Sequence, residues 1–202
     1  MYLACLDLEG VLVPEIWIAV AEAVGVPELK RTTRDEPDYG KLMAYRIALL
    51  NEHGLGYREI ERVISEMRPL DGAKAFLDEL RSFAQVVIVS DTFDVFARPL
   101  MKQLGWPTIF CHELLTDEKG RVTGWKSRLD NHKEATVRGL QAIGFDTIAT
   151  GDSFNDLAMI RAGKQGFLFR TTPAIRDANP DLPALETYEE LLSAFRKAMG
   201  LK

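Results

Sequence analysis

Five short apolar runs rich in β-branched residues recur along the chain, and polar or turn residues flank each of them. The runs cover residues 2–6, 85–90, 108–111, 147–150 and 166–169. This pattern is typical of buried strands. Segments with helical spacing of their apolar residues lie between or after the runs, at 73–83, 95–104, 133–143, 156–162 and 188–199. Strands that alternate with helices predict a doubly wound α/β fold with a mostly parallel sheet covered on both faces.

One long stretch interrupts this alternation. Between the first two strands the spacing predicts only helices, at 16–24, 39–53 and 57–67. The stretch follows the first strand at the carboxyl edge of the sheet, where open α/β sheets bind ligands, so we expect it to act as a lid. We therefore predict an α/β core of residues 1–13 and 69–202 and a small helical cap of residues 14–68.

In the core, residues 113–125 contain an Asp-Glu-Lys-Gly turn between apolar flanks and predict a hairpin.

Composition narrows the class of protein. The 202 residues are 47% hydrophobic and 27% charged, which is ordinary for a soluble globular protein. A net charge of -5 without a block of lysine or arginine argues against a nucleic-acid or membrane-surface partner. The apolar start of the chain is interrupted at Asp7 and is too short to span a bilayer, so we expect no membrane segment. Cys5 and Cys111 lie far apart in separate apolar runs, which favours buried reduced thiols and a cytoplasmic location.

Polar side chains end three of the predicted strands, at Asp7, Ser90 and Asp152. Burying such groups is costly unless they have a partner or a function. The carboxyl ends of parallel strands meet at one edge of a sheet, so the fold would bring these three positions together.

The first of these strand ends carries two carboxylates, Asp7 and Glu9. A carboxylate nucleophile needs no base to deprotonate it, and a second acid nearby can protonate a leaving alkoxide and later activate water. The alternative is a turn in which the two side chains only cap a helix.

The last strand end is followed by Gly151-Asp152-Ser153-Phe154-Asn155-Asp156. Two carboxylates and an amide in one turn are hard oxygen ligands of the kind that Mg²⁺ prefers. A capping loop or a calcium-like loop would use the same residues.

The middle strand end, Ser90-Asp91-Thr92, predicts a turn into a helix at Phe93, where a hydroxyl and backbone N–H groups can cradle a phosphate. The same residue types are also ordinary N-caps. Phosphoryl transfer needs a further cation, and Lys133 opens the helix before the Asp152 strand, although an isolated lysine is more often a surface charge. His53, His112 and His132 show no ligand spacing, and the sequence assigns them no role.

Four motifs thus follow one another along the chain: Asp7-Leu8-Glu9-Gly10, Ser90, Lys133 and Gly151-Asp152-Ser153-Phe154-Asn155-Asp156. In this order they resemble the haloacid dehalogenase-like phosphatase superfamily over nearly the whole chain. The helical insertion and the last motif resemble the phosphoserine phosphatase branch. Residues 4–17 are similar to those of its bifunctional members, which are also phosphoserine:homoserine phosphotransferases.

The resemblance implies a role for each matching position. Asp7 would be the nucleophile and Glu9 the general acid/base, with Mg²⁺ held by Asp7, the Glu9 backbone carbonyl and Asp152. Residues implied to bind substrate are Glu15, Arg46, Ser90, Asp91, Lys133 and Asn155, with Asp156 in support. Glu15 and Arg46 would pair with the amine and carboxylate of phosphoserine, because a zwitterion needs one anion and one fork-shaped cation. Solvated helix charges are the alternative for these two.

Glu9 departs from the superfamily pattern, in which aspartate is commoner at this position. The longer side chain displaces the acid, which would slow water activation and let an alcohol such as homoserine compete as acceptor.

Three other functions remain open: a phosphatase for another small phosphomonoester, a haloacid dehalogenase, and a non-catalytic phosphoserine or amino-acid sensor. The magnesium-type loop and Glu9 argue against the dehalogenase, and the retention of all four motifs argues against the sensor. The expected partners are small molecules, and a homodimer is compatible with the sequence.

Overall fold

Residues 1–33, 35–36 and 38–201 are described by a computed structural model of the protein. Within this part of the chain, seven strands form one sheet in the order β4-β3-β2-β1-β5-β6-β7. Neighbouring strands are parallel except for the antiparallel pair of β3 and β4. The strands are β1 (Tyr2–Leu6), β2 (Gln85–Phe93), β3 (Thr108–Thr116), β4 (Val122–Lys126), β5 (Asp146–Gly151), β6 (Gln165–Phe169) and β7 (Ala184–Leu185).

Helices connect these strands and cover both faces of the sheet. They are α1 (Ile16–Val24), α2 (Tyr39–Glu52), α3 (Tyr57–Glu66), α4 (Ala73–Phe83), α5 (Asp94–Gln103), α6 (His132–Ala142), α7 (Leu157–Ala162), α8 (Pro173–Ala178) and α9 (Tyr188–Ala198). The α/β architecture expected from the sequence is confirmed. Helix α8 and strand β7 were not predicted, because six and two residues are too few to show a periodicity.

The central strand shows why the runs are continuously apolar. In β1, Leu3 and Cys5 face one layer of the core, and Ala4 and Leu6 face the other. Residues 3–6 are therefore all buried, as expected for a strand with helices on both sides.

Helices α1, α2 and α3 all lie between β1 and β2 in the chain, where the sequence predicts only helices. Trp17 of α1 packs edge-to-face on Phe96 of α5, with ring centroids 5.9 Å apart. At the start of α3, the Tyr57 N–H donates to the Gly120 carbonyl in the turn between β3 and β4, at 2.8 Å. Helices α1 and α3 thus rest on α5 and on the turn between β3 and β4. The antiparallel pairing of β3 with β4 confirms the hairpin expected from the sequence.

Two expectations need correction. Strand β2 runs on to Phe93 and α5 begins at Asp94, so Ser90, Asp91 and Thr92 lie in an irregular strand end and not in a turn into a helix. The pairing of β2 with β3 shifts its register within this segment, which local periodicity cannot reveal.

Both cysteines are free thiols, but only Cys5 is fully buried, whereas Cys111 is half-buried. Among the described residues, no helix is both long and apolar enough to cross a bilayer.

Candidate active site

A cleft lies at the edge where β1, β2 and β5 end. Nine of the ten site residues predicted from the sequence line it: Asp7, Glu9, Glu15, Arg46, Ser90, Asp91, Lys133, Asp152 and Asn155. The tenth, Asp156, is fully buried and contacts Lys133. The fold therefore brings positions up to 148 residues apart (7 and 155) into one cleft.

Asp7 is placed by the sheet itself. Its N–H donates to the Thr150 carbonyl at 3.0 Å, which continues the pairing of β1 with β5 one residue past the strand. The residue is only 4% exposed. Burial raises the pKa of Asp7 well above its ordinary value, and the nearby carboxylates of Asp156 and Asp152 raise it further. The Lys133 ammonium opposes this shift of the Asp7 pKa, since its Nζ donates to Asp7 Oδ1 at 2.9 Å.

The loop after β5 is held by the side chain of Asp156. Its Oδ2 accepts from the backbone N–H of Asp152 at 3.1 Å and of Ser153 at 3.0 Å. A side chain at Gly151 would not fit, because its Cβ would lie 2.3 Å from Asp156 Cγ. Gly10, at φ +76°, is equally constrained, because its Cβ would lie 2.5 Å from Asp152 Cγ. These close approaches explain why glycines flank the carboxylates in both motifs.

Lys133, in the first turn of α6, is surrounded by carboxylates. Its Nζ lies 2.6 Å from Asp156 Oδ1, 2.9 Å from Asp7 Oδ1 and 3.3 Å from Asp91 Oδ2. Burial alone would lower the pKa of Lys133, but the three carboxylates outweigh it and raise that pKa well above its usual value. The amine is therefore a fixed cation at the base of the cleft, unlike the solvated lysine that its sequence context also allowed.

Three buried carboxylates, those of Asp7, Asp152 and Asp156, place ligand oxygens within 4.8 Å of one another. Both oxygens of Asp156 are already engaged, by Lys133 and by the loop N–H groups. Asp7 and Asp152 are therefore the better ligands of the three. One lysine cannot balance this much buried negative charge, so the oxygen-rich cluster fits a hard divalent cation.

Glu9 performs a capping role as well as lining the cleft. Its Oε2 accepts from the Ile16 N–H, at the start of α1, at 2.8 Å. Burial and the neighbouring Glu15 raise the pKa of Glu9 to about 8, although the Ile16 N–H and Arg46 oppose the shift. A carboxyl group that keeps its proton near neutrality can act as a general acid.

Arg46 of α2 lines the other end of the cleft and is only 5% exposed. Its guanidinium lies over the Trp17 ring, 4.5 Å from the centroid, and its Nη2 donates to the Arg31 carbonyl at 2.8 Å. Its Nε has no hydrogen-bond partner within the described residues. Burial lowers the pKa of Arg46 to about 10, and Tyr39, Glu9 and Glu15 oppose the shift. A buried cation with an unsatisfied N–H, with the carboxylate of Glu15 in the same cleft, fits a small zwitterionic ligand.

Sequence reasoning missed several residues of the cleft, among them Trp17, Thr32, Thr33, Tyr39, Thr92 and Ser153. It also assigned no role to His112 and His132. In the structure, His132 Nε2 lies 2.9 Å and His112 Nε2 3.5 Å from Asp91 Oδ1. Tyr39 reaches the same residue from α2, because its hydroxyl donates to the Asp91 carbonyl at 2.7 Å. No local spacing indicates these contacts, since only the sheet order and the packing of α2 create them.

Comparison with known proteins gives consistent matches. The sequence model of the family described as haloacid dehalogenase-like hydrolase matches residues 14–161. The phosphoserine phosphatase ThrH of Pseudomonas aeruginosa is 48% identical over 198 residues, which cover 98% of this chain and 97% of that protein. A phosphoserine phosphatase of Pseudomonas syringae pv. tomato is 48% identical over 196 residues, covering 97% of this chain and 83% of that protein.

Solved structures agree in fold. A phospho-aspartyl intermediate analogue of phosphoserine phosphatase superposes with a TM-score of 0.79 at 22% identity and covers 95% of this chain and 97% of that one. A substrate-bound phosphoserine phosphatase complex superposes with a TM-score of 0.74 at 22% identity, with coverages of 95% and 97%. At this identity the two structures support the fold alone.

Proposed function

Because the chain belongs to the haloacid dehalogenase-like hydrolase family, we propose that it is a phosphoserine phosphatase that works through a phosphorylated Asp7. The observation that carries the proposal is the buried cluster at the converging strand ends, where Asp7 lies 2.9 Å from the Lys133 amine and beside Asp152. The two Pseudomonas relatives named above support the choice of phosphoserine.

The reaction proceeds in two displacements at phosphorus. An oxygen of the Asp7 carboxylate forms a bond to phosphorus while the bond to the serine oxygen breaks, and Glu9 gives its proton to that oxygen. Glu9 then takes a proton from water, whose oxygen attacks phosphorus, and the bond between phosphorus and Asp7 breaks. The Asp7 carboxylate reforms, and the products are serine and phosphate.

The cation in this proposal is Mg²⁺, held by the Asp7 and Asp152 carboxylates and the Glu9 backbone carbonyl. The excess of buried negative charge around Asp7 supports it. When bound, Mg²⁺ neutralises charge that develops on the phosphoryl oxygens. Ser90, Asn155, Lys133 and the backbone around Asp91 bind the remaining phosphoryl oxygens, and Asp156 holds Lys133 in place.

Selection of the amino acid falls to the helices between β1 and β2. We assign residues 14–68 to a cap and residues 1–13 and 69–202 to the catalytic core. Arg46 binds the carboxylate of phosphoserine and Glu15 its ammonium group, which accounts for a buried arginine whose Nε has no partner among the described residues, beside a carboxylate-lined wall.

A second activity, transfer to homoserine, is favoured by the position of Glu9. Its carboxyl group is held by the Ile16 N–H at 2.8 Å, at the start of α1. The glutamate side chain is one methylene longer than the aspartate that is commoner at this position, so it aligns water less well, and an alcohol bound where serine has left competes for the phosphoryl group. The homoserine oxygen then forms a bond to phosphorus while Glu9 takes its proton and the bond between phosphorus and Asp7 breaks, so that phosphohomoserine leaves and the Asp7 carboxylate reforms. We expect the enzyme to act in the cytoplasm on small molecules, as a monomer or a homodimer.

The deciding experiment incubates the protein with phosphoserine and Mg²⁺, with and without homoserine, and follows phosphate and phosphohomoserine by ³¹P NMR. Both products are expected in the presence of homoserine. If phosphate is the sole product, the protein is a simple phosphatase. If neither product forms and p-nitrophenyl phosphate is also not hydrolysed, the enzymatic proposal is overturned in favour of a sensor. Hydrolysis of p-nitrophenyl phosphate without phosphoserine turnover would point to another phosphomonoester.

Glu9→Asp should raise the ratio of phosphate to phosphohomoserine, and an unchanged ratio would remove Glu9 as the cause of transfer.

A further inference from the structure

Asp91, in the irregular end of β2, is contacted by four side-chain donors. Two histidines reach its Oδ1: His132 Nε2 at 2.9 Å and His112 Nε2 at 3.5 Å. Its Oδ2 accepts from Asn155 Nδ2 at 2.6 Å and lies 3.3 Å from Lys133 Nζ. One carboxylate therefore joins a pair of buried histidines to Lys133 and Asn155. These two residues are proposed to bind the phosphoryl oxygens, and we call this part of the cleft its phosphate-binding end.

The hydrogen bonds define which nitrogen of each ring carries the proton. The Arg128 N–H donates to His112 Nδ1 at 3.2 Å, so a neutral His112 ring must carry its proton on Nε2, which faces Asp91. His132 Nδ1 is buried without a partner among the described residues, whereas its Nε2 bonds to Asp91. His132 therefore donates to the carboxylate, and the Nε2 of His112, at 3.5 Å, makes a longer polar contact with the same oxygen.

This pattern argues against a cation at the same place. Ligand atoms of Asp91, His112 and His132 do lie within 4.8 Å of one another. A metal at His112 Nε2 would require the ring proton on Nδ1, directly against the N–H of Arg128. The cluster is better described as a hydrogen-bonded clamp on an anion.

A carboxylate beside a phosphate site is electrostatically unfavourable, because the two anions repel each other. We therefore expect the orientation of Asp91 to serve another purpose. Burial raises the pKa of Asp91, but Lys133 and the two histidines outweigh it and hold that pKa well below the ordinary value. The carboxylate is thus charged and, with Oδ1 held by the rings, presents Oδ2 to Lys133 and Asn155.

We propose that His112 and His132 are positioning residues, which hold Asp91 so that it aims the Lys133 amine and the Asn155 amide at the phosphoryl group. The inference rests on the proposed function, because it concerns the same phosphate-binding end. Without the rings, Asp91 can rotate, draw Lys133 towards itself and release Asn155. A displacement of about an ångström at such groups is enough to slow a reaction that depends on their position.

The test uses paired substitutions at both histidines. Leucine at position 112 or 132 removes the donor, whereas glutamine keeps an N–H near the place of Nε2. His53→Leu is the matched control, because His53 is an exposed residue at the end of α2. Titration calorimetry with Mg²⁺ present gives the affinity for inorganic phosphate and, separately, for L-serine; turnover of phosphoserine is measured in parallel.

His132→Leu should weaken phosphate binding and lower kcat/KM by about tenfold, the usual effect of losing a hydrogen bond to a charged group. His112→Leu should lower both by a smaller factor, because its contact with Asp91 is longer. L-Serine affinity should not change, and the glutamine variants should keep most of the phosphate affinity. Wild-type phosphate affinity in the leucine variants overturns the inference, and so do equal losses for phosphate and serine, because they indicate general damage.

If the leucine variants do not fold, ¹⁵N NMR of the wild-type rings decides. A proton on Nε2 of both histidines supports the inference, and a neutral ring protonated only on Nδ1 overturns it. A wild-type protein that binds phosphate but leaves phosphoserine intact overturns the proposed function, while the phosphate affinities of the variants still decide the positioning role. Absence of phosphate binding in the wild type overturns both.

Discussion

The two ends of the cleft are built differently. At the phosphate end, Asp7 continues the backbone pairing of β1 with β5, through an N–H donated to Thr150 at 3.0 Å. At the opposite end, Arg46 is carried by a helix and is held by the ring of Trp17 and the carbonyl of Arg31. The proposed nucleophile thus lies at the edge of the sheet, and the arginine proposed to select the substrate lies on a helix. Changes at the first end should reduce turnover, and changes at the second should weaken substrate binding.

The largest effect is expected from Asp7→Asn. The amide has the shape of the carboxylate but cannot attack phosphorus, so kcat for phosphoserine should fall by about 10⁴-fold or more. Mass spectrometry of acid-quenched protein should detect a phosphorylated wild type and an unmodified variant. Circular dichroism provides the control for folding. Substantial turnover by Asp7→Asn would contradict the assignment of the nucleophile.

The next largest effect is expected from Lys133→Met. Its kcat should fall by about 10²- to 10³-fold, because a fixed cation on the phosphoryl oxygens is removed. The change also leaves the buried carboxylates of Asp7, Asp156 and Asp91 without their shared partner. The free energy of unfolding, from urea titration, should therefore fall by about 3–5 kcal/mol.

Lys126→Met is the matched control for that change, since Lys126 is exposed on β4 and pairs with Glu113 at 3.7 Å. It should alter stability by less than about 1 kcal/mol and leave turnover unchanged. Equal effects of the two lysine substitutions would show that the buried cation has no special role.

Arg46→Gln tests the opposite end. It should raise KM for phosphoserine by about 30-fold, the cost of losing a charge-assisted contact to a carboxylate, and leave kcat within a few-fold. Hydrolysis of p-nitrophenyl phosphate, which has no carboxylate, should hardly change. Arg62→Gln, at an exposed position on α3, is the control. If hydrolysis of both substrates fell equally, the division of the cleft into two functional ends would be wrong.

The smallest effect is expected from Tyr39→Phe, which removes the hydroxyl that joins α2 to the Asp91 carbonyl at 2.7 Å. Loss of one such hydrogen bond costs about 1 kcal/mol of transition-state stabilisation, so kcat/KM for phosphoserine should fall about fivefold. Tyr57→Phe is the control, because the Tyr57 hydroxyl donates to Glu61 on the exposed face of α3. A drop in phosphate affinity as large as that expected for the histidine variants would show that the two ends are coupled through Asp91.

Much of the fold was predictable because its signals are local. The central strand β1 is a continuous apolar run, and Asp7 and Asp152 stand out because each follows such a run with a carboxylate. Parallel topology then predicts that these strand ends meet. The same reasoning could not find the true end of β2 at Phe93, because the shift in its pairing with β3 depends on the neighbouring strand.

The sequence by itself determined the alternation of strands and helices, the helical insertion and the motifs that carry the proposed chemistry, because periodicity and residue type are local properties of the chain. Only the tertiary structure decided the rest: that Lys133 is a buried cation shared by three carboxylates, that Tyr39 reaches across to Asp91, and that His112 and His132 converge on the same carboxylate. These contacts join residues that are tens of positions apart, and they form because strand pairing and helix packing bring together groups whose polar atoms must find partners once they are buried.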